Sequence, residues 1–83
     1  MIKTNGVDNE LLKKHSFIND AWIAINDKVY DITDYALKHP GGKIIYDFSG
    51  TNGTAAFYKY HSWVNFEHLL KDKYIGRYNP YKL

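Results

Sequence analysis

Cysteine is absent from this 83-residue chain, which excludes disulfides, thiolate zinc sites and cysteine-held iron–sulfur clusters together. A domain this short buries little more than half of its unfolded surface, so its core is marginal and a bound cofactor or unusually tight packing has to make up the difference. Long hydrophobic runs are missing as well. The longest, such as AWIAI at 21–25, have the length of a strand and fall far short of the roughly 20 apolar residues of a membrane helix. Charge of one sign is also scarce: eleven Lys+Arg against nine Asp+Glu leave +2, with the basic residues dispersed, which removes the electrostatic case for nucleic acid. The opening MIKTNGVDNE lacks the apolar core of a secretory signal, so a reducing, cytoplasmic setting without a membrane anchor is expected. In that setting the formal sequon Asn52-Gly53-Thr54 reads as a turn.

What the chain does have is apolar and aromatic material, 45% hydrophobic and 17% aromatic residues, enough for a small core or for lining a flat apolar ligand. Residues 1–83 read as one domain. Asp8 is placed to cap a short helix, NELLKKH, ending near Ser16. AWIAI and KVYDI read as antiparallel strands joined at Asn26-Asp27. Thr33 is expected to cap a second helix, DYALK, and KIIYDFS reads as a third that closes at Gly50. TAAFYKYH is the fourth and VNFEHLLKDK the fifth, followed by the strand-like YIGRY.

The segment KHPGGK, residues 38–43, places a histidine where the next residue restricts it. Proline pushes the residue before it out of the helical region, so His39 stands on the stop of the second helix. Gly41 and Gly42 have no Cβ and allow a tight turn with something bulky close to the backbone. His61 stands at the end of the fourth helix. Two helix-end histidines on the walls of a crevice could grip one metal ion from opposite sides of a planar ring, the arrangement that holds a heme. A zinc site made from His15, His39, His61 and His68 is the competing chemistry. Zinc sites use close pairs such as H-x3–5-H, whereas these four are spread along the chain, and His15 and His68 read as ordinary helix-surface or helix-end residues.

The order of these pieces resembles one family. The stretch WIAINDKVYDITDYALKHPGGKIIYDFSGTNGTAAFYKYHS, with its Trp-containing strand, KVYDIT, HPGG, a Gly-Thr region and a second His-Ser, is similar to the core of cytochrome b5, and YIGRY to its closing strand. The match spans roughly residues 8 to 79. The resemblance implies an α+β, cytochrome b5-like fold in which a small mixed sheet and two helix pairs form a heme crevice. It implies heme b (iron protoporphyrin IX) as cofactor, with His39 and His61 as its axial ligands. Carried over position by position, Ile23, Ile25, Ile32, Tyr35, Pro40, Gly41, Ile45, Tyr46 and Phe57 fall on the porphyrin pocket, where plain core packing is the alternative role, and Ser62 falls where a propionate is hydrogen-bonded. Tyr35 and Tyr46 stand where the family has phenylalanine or an aliphatic residue, and Lys43 and Lys59 stand near the crevice mouth where it has carboxylates.

The function so implied is a monomeric electron carrier, not an enzyme, that passes single electrons between a reductase and an acceptor protein. The alternatives are a non-redox module of the same fold that binds heme or a hydrophobic small molecule, and an interaction protein with an ordinary aromatic core. Alanine at either His39 or His61 is expected to abolish the low-spin heme spectrum and to lower thermal stability, since a cofactor bound to the native state stabilises it by linkage. Absorption spectra and melting curves of the two variants check this; apo and holo forms melting together would contradict it.

Overall fold

The hairpin around Asn26-Asp27 is the centre of the fold. In this computed structural model, which describes residues 6–38, 42–61 and 63–80, β1 (Ser16–Phe17), β2 (Asp20–Ile25), β3 (Lys28–Asp31) and β4 (Tyr74–Arg77) form one sheet in the order β1-β2-β3-β4. Each ladder is antiparallel, with Ile23 opposite Tyr30 and Ala24 opposite Val29 in the central pair. Isolated parallel bridges, Val7 with Tyr78 and Ala24 with Asn52, give the sheet its mixed character. At the β2–β3 turn Asn26 takes a left-handed φ of 59°, a conformation asparagine tolerates better than a branched residue.

Strand β2 is buried on both faces, which is why its sequence is a continuous apolar run instead of an alternation. The period of two sorts its side chains. Ala21, Ile23 and Ile25 join Tyr30, Ile32, Phe66 and Leu70 on one face, while Trp22 and Ala24 join Val7, Leu12, Val29 and Tyr78 on the other. The second cluster is closed by α1 (Asn9–Lys13), whose Leu12 is fully buried and whose N-terminus is capped by Asp8, its carboxylate accepting from the Leu11 amide at 2.9 Å. His15, read from sequence as a surface or helix-end residue, has a more particular place. Its ring stacks on Trp22 at 3.6 Å with an interplanar angle of 5°, and its Nδ1 lies 2.8 Å from Asp20 Oδ1.

The remaining elements differ in detail from the sequence expectation. Helix α2 spans Thr33–Leu37, with Ile32 and not Thr33 at the cap position. The Asp31 carboxylate accepts from the Thr33 amide and hydroxyl, and Thr33 Oγ1 accepts in turn from the Ala21 amide, so the threonine ties the helix start to β2. The third helix is a 3₁₀ helix, Gly42–Asp47; it starts at a glycine and carries two successive β-branched residues, both poor for an α-helix. Gly50 ends the turn that follows, at φ 73°. Helix α3 spans Thr54–His61 as expected. The fifth helix is shorter: the Asn65 side chain accepts from the His68 amide at 3.1 Å and starts α4 at Phe66, which runs to Leu69 before a 3₁₀ turn over Lys71–Lys73. The two helix pairs are α2 with the first 3₁₀ helix, and α3 with α4, where Phe57 and Phe66 meet edge to face at 5.3 Å.

Burial pushes the Tyr30 hydroxyl above its ordinary value of 10.0, and a hydrogen bond to Glu67 raises the nearby Lys28 ammonium above 10.5. Both shifts act in the same direction. The folded state holds these protons more tightly than the unfolded chain, so the stability they carry is present below about pH 10 and is lost as the pH rises beyond it. Denaturant titrations near neutrality and at about pH 11 are expected to show a smaller alkaline loss for Tyr30→Phe than for the unmodified protein.

Candidate functional site

The face of β2 that carries Ile23 and Ile25 continues, with Ile32, into the floor of a cleft of about 310 Å³, at the lower end of the roughly 300–1,000 Å³ usual for small-molecule sites. Tyr35 of α2, with Ile45 and Phe48 from the first 3₁₀ helix and the turn after it, adds to the lining. Gly53 and the α3 residues Ala56, Phe57, Tyr60 and His61 add more, and Leu69 and Leu70 come from the end of α4. Almost every lining side chain is hydrocarbon or aromatic. Among the described residues His61 brings the one imidazole to this lining, 5.5 Å from the Phe57 ring between centroids.

His61 points inward because of where α3 begins. Beyond the two residues of β1, the edge of β2 is taken by Gly50–Gly53: the Gly50 amide donates to Trp22 O at 2.6 Å, the Ala24 amide to Thr51 O at 3.0 Å, and the Gly53 amide to Ala24 O at 2.8 Å. The start of α3 is also tied to the β2–β3 turn. Thr54 Oγ1 accepts from the Asn26 amide at 2.7 Å, and Asn26 Nδ2 donates to the Tyr58 hydroxyl at 3.0 Å. Asn52 Oδ1 accepts from the Thr54 amide and hydroxyl, so the sequon asparagine is engaged in the turn that its sequence suggested. With the first turn held, residues three to four apart share a face, and Gly53, Ala56, Phe57, Tyr60 and His61 all meet the cleft. Within the protein α3 buries none of its residues; its inner face is an apolar wall.

Of the residues singled out from sequence, Ile23, Ile25, Ile32, Tyr35, Ile45, Phe57 and His61 line the cleft together. Tyr46 packs against the same core without lining the cleft, and its hydroxyl is buried with no hydrogen-bond partner among the described residues. His39, Pro40, Gly41 and Ser62 lie outside the described residues. Phe48, Gly53, Ala56, Tyr60, Leu69 and Leu70 complete the lining and escaped the sequence reading. Of the α3 positions, Phe57 stands four residues before His61 and was named from sequence, whereas Ala56 and Tyr60, five and one residues before it, fall outside the three-and-four spacing that marks one helix face. The three described histidines do not converge as a zinc site would require: His15 lies against Trp22 with the far-face cluster, His61 lines the cleft, and His68 is exposed on α4. Among the described residues no three His, Cys, Asp or Glu side chains gather.

An apolar slot with one imidazole on its wall fits a flat, largely apolar group that needs an axial nitrogen. A profile of the Cytochrome b5-like Heme/Steroid binding domain matches residues 8–79. The chain belongs to this family. Among relatives, an uncharacterized heme-binding protein of Schizosaccharomyces pombe is 45% identical over 71 residues, which cover 84% of this chain and 49% of that protein. Human cytochrome b5 reductase 4 is 42% identical over 72 residues, covering 86% of this chain and 14% of the reductase. The chain thus spans half or less of these curated relatives. Among solved structures, cytochrome b558 of Ectothiorhodospira vacuolata, a prokaryotic homologue of cytochrome b5, superposes with a TM-score of 0.70 at 31% identity, covering 83% of this chain and 91% of that one. The cytochrome b5 fold is therefore shown by sequence and structure alike. Among the described residues no helix is long and apolar enough to cross a membrane.

Gly53 is where the floor and the α3 wall meet. A Cβ there would stand 2.4 Å from Ile23 Cδ1 and 2.9 Å from Ile23 Cγ1, so Gly53→Ala must turn the isoleucine out of its place in the floor. The expected cost is about 1–3 kcal/mol, read by denaturant unfolding, together with weaker heme uptake in a titration followed by absorbance.

Proposed function

We propose that this cytochrome b5-like chain binds heme b between His39 and His61 and serves as a one-electron carrier. The observation that carries the reading is the His61 imidazole on the wall of an otherwise apolar cleft built on the sheet face of β2 and β3. Bound there, heme supplies a one-electron ferric/ferrous couple. The chain's own residues do the rest. Ile23, Ile25, Ile32, Ile45 and Phe57 line the cleft and would exclude water from a bound heme, and the tie between Thr54 and Asn26 holds α3, hence His61, against the floor. With heme held by both His39 and His61, no coordination position would be left for a substrate, and the domain would act as a shuttle between a reductase and an acceptor and not itself as an enzyme. It works as a monomer in a cytoplasmic setting.

A second reading has a specific observation behind it. The family's description includes steroid binding, and the cleft lining is apolar enough to take a hydrophobic small molecule or to hold heme without redox turnover. Colour separates heme binding from small-molecule binding. The purified protein reconstituted with heme is expected to show a six-coordinate low-spin spectrum that shifts on reduction with dithionite and is unchanged in the first seconds after carbon monoxide is added. A preparation that takes up no heme favours the small-molecule reading, and an immediate carbon monoxide shift contradicts ligation by both histidines.

A further inference from the structure

The mouth of the cleft is cationic and aromatic. Within four residues of His39 and of His61, positions 35–43 and 57–65, the sequence contains Lys38, Lys43 and Lys59 and no carboxylate. Lys59 sits at the mouth itself: its ammonium lies 5.3 Å from the centroid of the Tyr60 ring, and Tyr60 lines the cleft while half exposed, at 50%. Trp63 is 79% exposed, with its ring 6.0 Å from that of His61. Lys38 is exposed at the end of α2, whose Tyr35 lines the cleft. The nearby carboxylates of Asp34 and Glu67 are engaged by Lys73 and Lys28, which leaves exposed Asp47, beside Phe48, as the opposing charge among the described residues, to which the propionates of a bound heme would add.

We infer that this rim is the docking face for an acidic redox protein, one that presents carboxylates around an apolar centre. The inference rests on the electron-carrier reading and adds the sign of the partner. An exposed tryptophan beside the cleft is the kind of large aromatic that anchors interfaces, and surrounding lysines steer an oppositely charged partner to it at low salt. A transient encounter needs no more than a few charges, whereas stable membrane attachment needs two strong signals; a protein surface is the occupant that this modest rim suits.

The test uses one acceptor with its surface charge reversed. Reduced protein is mixed in a stopped-flow instrument with native cytochrome c, which is basic, and with succinylated cytochrome c, which is acidic. Salt is raised from about 0.01 M to about 1 M, over which the screening length falls from about 30 Å to about 3 Å. Transfer to the acidic acceptor is expected to fall with salt by about tenfold or more, and transfer to the basic one to stay flat or rise. Lys38→Glu with Lys59→Glu should lower the low-salt rate to the acidic acceptor about tenfold and make the basic acceptor's rate fall with salt. Lys13→Glu with Lys14→Glu, the same change of net charge on α1 and its cap, should do much less. Trp63→Ala should lower both rates at every salt concentration without altering their slopes.

A steep fall with salt toward native cytochrome c in the unmodified protein overturns the inference, as does equality of the two lysine pairs, which would reduce the effect to net charge. Binding to phosphatidylserine vesicles that Lys59→Glu abolishes, with no dependence on acceptor charge, would assign the rim to a lipid surface and also overturn it. If no electron is transferred to either acceptor, it is the carrier reading that has failed. Docking is then decided by amide shifts on titration with succinylated cytochrome c: shifts centred on Lys59, Tyr60 and Trp63 that vanish at high salt support it, and their absence overturns it.

Discussion

Three backbone hydrogen bonds join residues 50–53 to Trp22 and Ala24 of β2, and the geometry of the cleft hangs on them. They carry the chain from the segment that follows the first 3₁₀ helix onto the edge of the central hairpin, so that α3 starts from a strand-like anchor and not from a free loop. The anchor demands two glycines for different reasons. Gly50 needs its positive φ, and a Cβ there would lie 2.5 Å from that of Ser16; Gly53 needs the space that Ile23 fills. Without this docking, α3 would be held only by the Asn26 bonds to Thr54 and Tyr58 and by the edge of Phe57 on Phe66, for the helix fully buries no side chain of its own.

The two faces of β2 divide the work between them. Trp22 and Ala24 belong to a closed core with Leu12, Val29 and Tyr78, a cluster whose only task is cohesion. Ile23 and Ile25 belong to a core that is complete on the sheet side and open toward α3. A strand can serve both because successive side chains point in opposite directions, and a small domain with a marginal core gains by making one strand serve twice.

Much of this was legible in the sequence where local chemistry decides the outcome. The three longer strands, the Asn26-Asp27 turn, the Asp8 cap and the extent of α3 follow from patterns of a few residues, the inward positions of β2 came with the family resemblance, and the two-residue β1 escaped. The order of HPGG and the second His-Ser indicated the family. The parts that escaped depend on distant partners. Nothing near Gly53 announces that Ile23 will press against it, and His15 meets Trp22 only once the hairpin has folded back over α1. The cap at Asn65 was visible in principle, but the continuous apolar and charged pattern through residue 73 concealed the break after Leu69. The KIIYDFS segment reads as a helix and is one, of the tighter 3₁₀ kind over Gly42–Asp47, in keeping with the poor α-helix propensity of Ile44-Ile45.

The parallel bridge between Val7 and Tyr78 brings the two ends of the described domain side by side, and both residues belong to the closed cluster on the sheet face opposite the cleft. The polypeptide therefore comes in and goes out through one small area at the back of the molecule. Sequence appended or inserted at that area meets a sealed core and leaves the front untouched. Such a layout makes the domain portable: it can be spliced beside other catalytic or anchoring units as a self-contained cartridge, with its cleft still facing outward.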